Sequence, residues 1–162
     1  MRDFLVCLVW GSLIGASSNF IMAVIDEKWY QPDLWLFRCR RWEREGQFYR
    51  KLRIHRWKDK LPDMSKMFPK YLPTKQVNAS MNADQVHKVA EETCKAEACH
   101  WGLCTATLSF FFVCEKFMAA LTWWLVYSLV FNVPFIIIQR FNRPRLVRLE
   151  QRLREEEMSV AK

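Results

Sequence analysis

The sequence predicts an all-α integral membrane protein with about three transmembrane helices and amphipathic or interfacial segments on the cytoplasmic side. Three observations carry this expectation. The chain is uncharged and mainly apolar from Phe117 to Gln139, and about 20 such residues cross a hydrocarbon core of roughly 30 Å. That run then breaks into Arg140, Asn142, Arg143, Pro144 and Arg145, as a span does where it meets anionic headgroups. Lys and Arg are also unevenly placed. Arg2 and Lys116 stand almost alone, and the remainder fall between Asp26 and Trp101 or after Gln139.

The first expected span covers 4–25. A signal peptide is the alternative, but Asp3 weakens its basic start and no clear small-residue cleavage site precedes Asp26-Glu27-Lys28. The second and third spans, 98–114 and 117–138, form a helical hairpin turning at Cys114-Glu115-Lys116. Trp101 to Val113 alone covers only about 20 Å, so the second helix must begin earlier. Asn82, with Gln85 three residues on, supplies a capping-box start for it. Pro134 is expected to kink the third span, with Asn132 close by to satisfy a freed carbonyl or to face a polar cavity. Asn142 and Pro144 are expected to open a further helix over 143–157, with Leu146, Leu149 and Leu153 as an apolar stripe at the interface. Region 26–97 is read as cytoplasmic and interfacial, because arginines and aromatics interleave over 38–60. Residues 63–80 read as a surface loop. The positive-inside rule then places the N-terminus outside and the C-terminus in the cytoplasm of a multi-pass cell-membrane protein. The whole chain, 1–162, is taken as a single membrane domain.

The net charge is +8, 51% of residues are hydrophobic and 15% aromatic. A basic balance suits nucleic acid, membrane or an anionic substrate. The apolar spans and the lack of any nucleic-acid motif favour membrane lipids over nucleic acid. Six cysteines occur without a Cys-x-x-Cys pair, so reduced, packed thiols are expected and no metal site. Serine-hydrolase, dinucleotide and nucleoside-triphosphate readings lack their Gly-x-Ser-x-Gly, Gly-x-Gly-x-x-Gly and phosphate-loop signatures.

Chemistry narrows to the three histidines. His87 falls on the polar side of the capped helix. His55 and Asp59 make only a bare His-x3-Asp. His100 lies where that helix enters the membrane, and an imidazole there is costly unless paired or used. Thr93, Glu97, His100 and Cys104 share a face. Glu97 is placed to orient the ring and His100 to act as a base. A hydrogen-bonded pair that only anchors the helix is the alternative. A Cys104 thiol nucleophile, or a Glu97–His100–Cys104 metal site, are further readings of the same face.

Three motifs then carry a family resemblance. The strongest is Asn132-Val-Pro-Phe-Ile-Ile-Ile-Gln-Arg-Phe-Asn-Arg-Pro-Arg-Leu146. The second is Glu92-Thr-x-Lys-Ala-Glu97-x-x-His100-Trp101. The third is Glu43 and Gly46 before Phe48, followed by Trp57-Lys58-Asp59-x-Leu61-Pro62. In this order, over nearly the whole chain, they resemble the bacterial glycosyl-4,4'-diaponeurosporenoate acyltransferases of staphyloxanthin-type carotenoid synthesis. The resemblance implies transfer of a fatty acyl group to a hydroxyl of a glycosyl-carotenoid-like glycolipid. Glu97 and His100 match its pattern, whereas Cys104 and His55 do not. On this reading His100 and Glu97 are catalytic. Trp57, Lys58, Asp59, Asn132, Arg140, Asn142, Arg143 and Arg145 contact substrate, the cations through donor or headgroup phosphates; positive-inside anchoring is the alternative for the arginines. No resident cofactor is expected; an acyl thioester or acyl lipid is the co-substrate. The alternative is a non-enzymatic membrane lipid-binding or assembly protein. Nothing in the sequence sets the oligomeric state.

Overall fold

The computed structural model describes residues 2–61, 77, 78 and 80–160, without the side chains of residues 19, 20, 22 and 23. The described residues form helices and turns only: α1 (Arg2–Val24), α2 (Gln47–Arg50), α3 (Ala83–Ala106), α4 (Phe110–Val113), α5 (Phe117–Phe131) and α6 (Val133–Val160). Single 3-10 turns cover Glu27–Tyr30, Arg41–Glu43, Ile54–Arg56, Lys58–Lys60 and Thr107–Ser109. The chain divides into two compact units, Met1–Asp26 with Lys95–Ile137, and Glu27–Cys94 with Ile138–Lys162. The loop expected over 63–80 lies mostly outside the described residues.

The first unit is built from apolar helices. Its core is Cys7, Phe110 and Ala120, with Phe111, Trp123, Trp124 and Tyr127 packed around them. Large apolar side chains remain exposed on α1 (Phe4, Leu8, Val9, Leu13) and on α5 (Met118, Leu129, Val130, Phe131). The run 117–160 is long and apolar enough to cross a membrane. The second expected span, 98–114, is not one helix. α3 ends at Ala106, and a 3-10 turn and the single turn α4 complete it. The turn at Cys114-Glu115-Lys116 is held by the start of α1. Asp3 accepts from the Glu115 and Lys116 amides at 3.2 and 3.4 Å, and Arg2 pairs with Glu115.

The expected disturbance at Pro134 falls two residues earlier. Proline lacks an N–H, and its ring clashes with the carbonyl four residues back. The helix is accordingly interrupted at Asn132, which leaves Pro134 in the first turn of α6, where a missing donor costs nothing. The Asn132 amide donates to the Ser128 carbonyl at 3.2 Å, and its own carbonyl accepts from Phe135 and Ile136 at 3.0 and 3.1 Å.

The second unit corrects two further expectations. No new helix starts at 143. α6 runs unbroken from Val133 to Val160 with Pro144 inside it. Tertiary contacts on both sides of Pro144 outweigh the lost hydrogen bond. The Leu146, Leu149 and Leu153 stripe is also not left for the interface. It packs on Val86, Val89 and Ala90 of α3, with Met81. The capping box at the start of α3 forms as expected: Asn82 Oδ1 accepts from the Gln85 amide at 2.9 Å, and Gln85 Oε1 from the Asn82 amide at 3.1 Å. Over 38–60 the chain is a series of tight turns burying Tyr49 and Ile54. Gly46 is required there. Its φ is +85°, and a Cβ would approach the Phe141 carbonyl oxygen to 3.1 Å.

Candidate active site

Within the first unit, α3 carries His100 and the α5–α6 break carries Asn132. His100 Nδ1 lies 2.9 Å from Asn132 Oδ1. Asn132 is 1% exposed, and its Nδ2 donates to the Tyr127 carbonyl at 2.8 Å. This second bond fixes the amide orientation, because only nitrogen donates to a carbonyl. Oδ1 therefore faces the imidazole and accepts Nδ1–H. In neutral imidazole the proton on Nδ1 leaves Nε2 as the basic nitrogen. Phe135 stacks on the ring at 4.9 Å between centroids and 10° between planes. Amide and phenyl together fix the tautomer and the ring plane.

The sequence brought His100 and Asn132 forward for different roles, one as base and one as substrate contact. Their pairing depends on the helix break, which brings residues 32 apart in the chain within hydrogen-bond reach. Glu97 is fully buried one turn before His100, and its Oε1 accepts from Trp101 Nε1 at 3.4 Å. Cys104, on the same helix, is half-buried, and its carbonyl accepts from Trp124 Nε1 at 3.1 Å. Among the described residues, no group of three His, Cys, Asp or Glu converges as metal ligands.

The remaining expected site residues lie in the second unit. Arg143 is 3% exposed. Its Nε donates to Thr93 Oγ1 at 2.9 Å, Nη1 to the Phe37 carbonyl at 2.8 Å and Nη2 to the Thr93 carbonyl at 3.0 Å. Arg140 donates to Glu43 Oε1 at 2.9 Å and to the Leu36 carbonyl at 2.8 Å. Glu43 is 1% exposed and also accepts from Tyr49 Oη and from the Arg40 amide. Burial opposes its ionisation. The hydrogen bonds from Arg40, Tyr49 and Arg140 outweigh that, and hold the carboxyl below its usual range. Two arginines one turn apart on α6 thus fasten the turns of 36–43 and α3 to that helix.

Arg145 is exposed and lies over the Phe141 ring at 4.0 Å. Burial, with the charges of Arg50 and Arg148, pushes its guanidinium below its ordinary pKa. Asn142 is half-buried. Trp57 donates to the Leu52 carbonyl at 3.0 Å, and Lys58 sits 3.9 Å from Asp59. His55 is exposed, edge-on to Phe141 at 5.2 Å. His87 is more engaged than a surface residue. Its Nδ1 lies 3.1 Å from Glu150, and its Nε2 lies 3.2 Å from Gln31 and 3.4 Å from Glu91. Glu91, four residues on, was a detectable signal for that cluster; Glu150 and Gln31, distant in sequence, were not.

The chain is helical among its described residues, and its one long apolar helix suggests membrane association. Residues 26–152 match the family described as glycosyl-4,4'-diaponeurosporenoate acyltransferase. The chain belongs to that family. Among its curated relatives is the glycosyl-4,4'-diaponeurosporenoate acyltransferase of Staphylococcus aureus strain N315, 28% identical over 77% of this chain and 74% of the relative. The proteins of that name from strains USA300 and MRSA252 are 28% and 29% identical over the same shares. No solved structure matches the chain.

Proposed function

We propose that this protein is a membrane O-acyltransferase that moves a fatty acyl group onto a sugar hydroxyl of a glycolipid, with His100 as general base. The observation that carries the reading is the His100 Nδ1–Asn132 Oδ1 contact of 2.9 Å with its fixed amide. It holds Nε2 in the basic state that removal of an alcohol proton requires. The hydroxyl gives its proton to Nε2 as its oxygen bonds to the acyl carbonyl carbon. The carbon–sulfur bond of a thioester donor, or the carbon–oxygen bond of an acyl-lipid donor, then breaks. The imidazolium returns the proton to the departing thiolate or alkoxide. Asn132 stays neutral throughout and steadies the imidazolium through Oδ1, as an oriented dipole does in the asparagine variants of the catalytic triad. Glu97 lies one turn earlier on the same helix and helps to position the ring.

The relatives' name makes a glycosyl-4,4'-diaponeurosporenoate-like lipid the first acceptor to try. Such a molecule has its tail in lipid and its sugar at the boundary. Lys58 and Arg145 are the accessible cations for donor phosphate, flanked by Trp57, Asp59 and Asn142. Arg140 and Arg143 support them by holding α6. The topology that goes with this is three crossings, with the N-terminus outside and the C-terminus cytoplasmic. The contacts of Arg2 and Asp3 with the 114–116 turn support it, since alternating crossings bring these two ends to one face. The exposed apolar side chains of α1 support its lipid-facing role.

The test is acyl transfer by the purified chain in lipid nanodiscs, with labelled fatty acyl thioester and a glycosyl-carotenoid acid, followed by mass analysis of the product. An ester at a sugar oxygen is expected. Absence of product with both thioester and acyl-lipid donors, from folded protein, would favour a lipid-binding or assembly role.

A further inference from the structure

Two groups of arginines in the second unit differ in their partners. Arg140, Arg143, Arg148 and Arg154 each have protein acceptors: Glu43, the Thr93 and Phe37 carbonyls, Glu45, and Glu150 with Asp84. Arg38, Arg40 and Arg41 do not divide their charge this way. They line one cavity of about 440 Å³ together with Asp33, Trp35 and Cys39. Among the described residues, the side chains of Arg38 and Arg41 have no hydrogen bond or ion pair. Arg40 is pre-oriented: its guanidinium lies 4.4 Å over the Trp35 ring, and its Nη2 donates to the Trp35 carbonyl at 2.8 Å. That leaves most of its five N–H groups without a protein acceptor.

Asp33 is the one acidic residue lining the cavity, and it makes no ion pair with these arginines among the described residues. Glu43 is close in sequence, but it is buried and its charge is met by Arg140. Three guanidiniums around one cavity repel each other unless an anion joins them, and planar guanidinium groups fit phosphate oxygens two at a time. Exposed side chains close by in the chain point to the source of that phosphate. Trp29, Leu34, Trp35 and Leu36 are exposed, Trp35 by 75%. Indole and leucine beside arginine is the composition of a surface seated at the headgroup level, with rings toward acyl chains and cations on phosphates.

We propose that residues 33–41 form a binding site for the phosphate of an anionic phospholipid headgroup. The site docks the Glu27–Cys94 region on an anionic bilayer. The reading does not depend on His100 being a base.

Cys39 lines the cavity and is the exposed cysteine of the six, so it reports on occupancy. The full chain in detergent micelles would be treated with a maleimide, and modification at Cys39 read by peptide mass analysis at constant ionic strength. Micelles doped with phosphatidylglycerol should slow the reaction about fivefold or more relative to phosphatidylcholine. Arg38→Gln and Arg41→Gln, both at exposed positions, should each weaken the phosphatidylglycerol effect about fivefold, the usual contribution of one basic residue at an anionic surface. Equal slowing by the two lipids would overturn the proposal. So would full phosphatidylglycerol protection in both variants. Slowing by inorganic pyrophosphate with none by phosphatidylglycerol would assign the cavity to a soluble phosphate and overturn the lipid assignment.

Discussion

In the unit made of Met1–Asp26 and Lys95–Ile137, the buried polar groups among the described residues are Glu97, Thr107, Ser128 and Asn132. In the unit made of Glu27–Cys94 and Ile138–Lys162 they are Glu43, Thr93, Gln139 and Arg143. The second set works by charge. Glu43 gathers Tyr49, Arg140 and the Arg40 amide, while Arg143 gathers two carbonyls and a hydroxyl. The bonds from Arg140 and Arg143 fasten turns and α3 to α6. The first set includes a chain of neutral groups, from the Tyr127 carbonyl through the Asn132 amide to the His100 ring. That chain fixes which nitrogen of an imidazole is basic. On the proposed function, the difference separates polar groups that build from a polar group that reacts. It predicts that variants in one unit lower stability and variants in the other lower turnover.

The largest expected effect belongs to His100→Ala. General-base catalysis supplies about 10²–10⁴-fold, so turnover should fall by that factor while thermal unfolding stays close to wild type. Loss of folding with no separate loss of turnover would merge the two units' roles. Next is Glu43→Ala. It removes the acceptor that Arg140 and Tyr49 share, and breaking a buried pair costs about 3–5 kcal/mol. Unfolding of the purified protein should shift accordingly, with turnover per folded molecule unchanged.

Glu43 also carries a pH signature. Its carboxyl is held below its usual value, so its stabilising contribution is full above the unfolded value of about 4.3 and is lost as pH falls through the lower folded value. Thermal stability of the wild type should decline in that acid window. Glu43→Gln should remove this part of the decline, and an unaltered acid profile would show that the charge does no fastening. The smallest effect is Gly46→Ala, which meets a positive φ and a carbonyl at 3.1 Å. A cost of about 1–2 kcal/mol in unfolding is expected.

Much of this was legible in local pattern. The capping box at Asn82 and Gln85, the helix carrying Glu97 and His100, and the turn at 114–116 are all set by residues within a few positions of one another. Contacts at long sequence separation were not. Arg140 and Arg143 follow an apolar run, so they read as headgroup or phosphate ligands. Their acceptors at Leu36, Phe37, Glu43 and Thr93 lie 50 or more residues earlier in the chain. Pro144 read as a helix start because propensity cannot register the packing of Leu146 on α3. Asn132 read as a residue beside a kink. The proline two positions on does break the helix, but only the folded chain shows the freed amide turned toward His100. Two of the motifs behind the family resemblance meet in the second unit, at Glu43–Arg140 and at Gly46 against Phe141. That part of the signature records architecture.

The most direct test of the central claim is a double-mutant cycle on acyl transfer with His100→Ala and Asn132→Ala, in protein shown to be inserted and folded. Asn132 is assigned to positioning His100, so alone it should cost up to about 10²-fold, the scale of a misplaced reacting group. Residues that act as a unit are strongly non-additive. The account predicts that Asn132→Ala costs nothing further once His100 is alanine. Full additivity of the two losses would contradict it and return Asn132 to an independent contact with substrate.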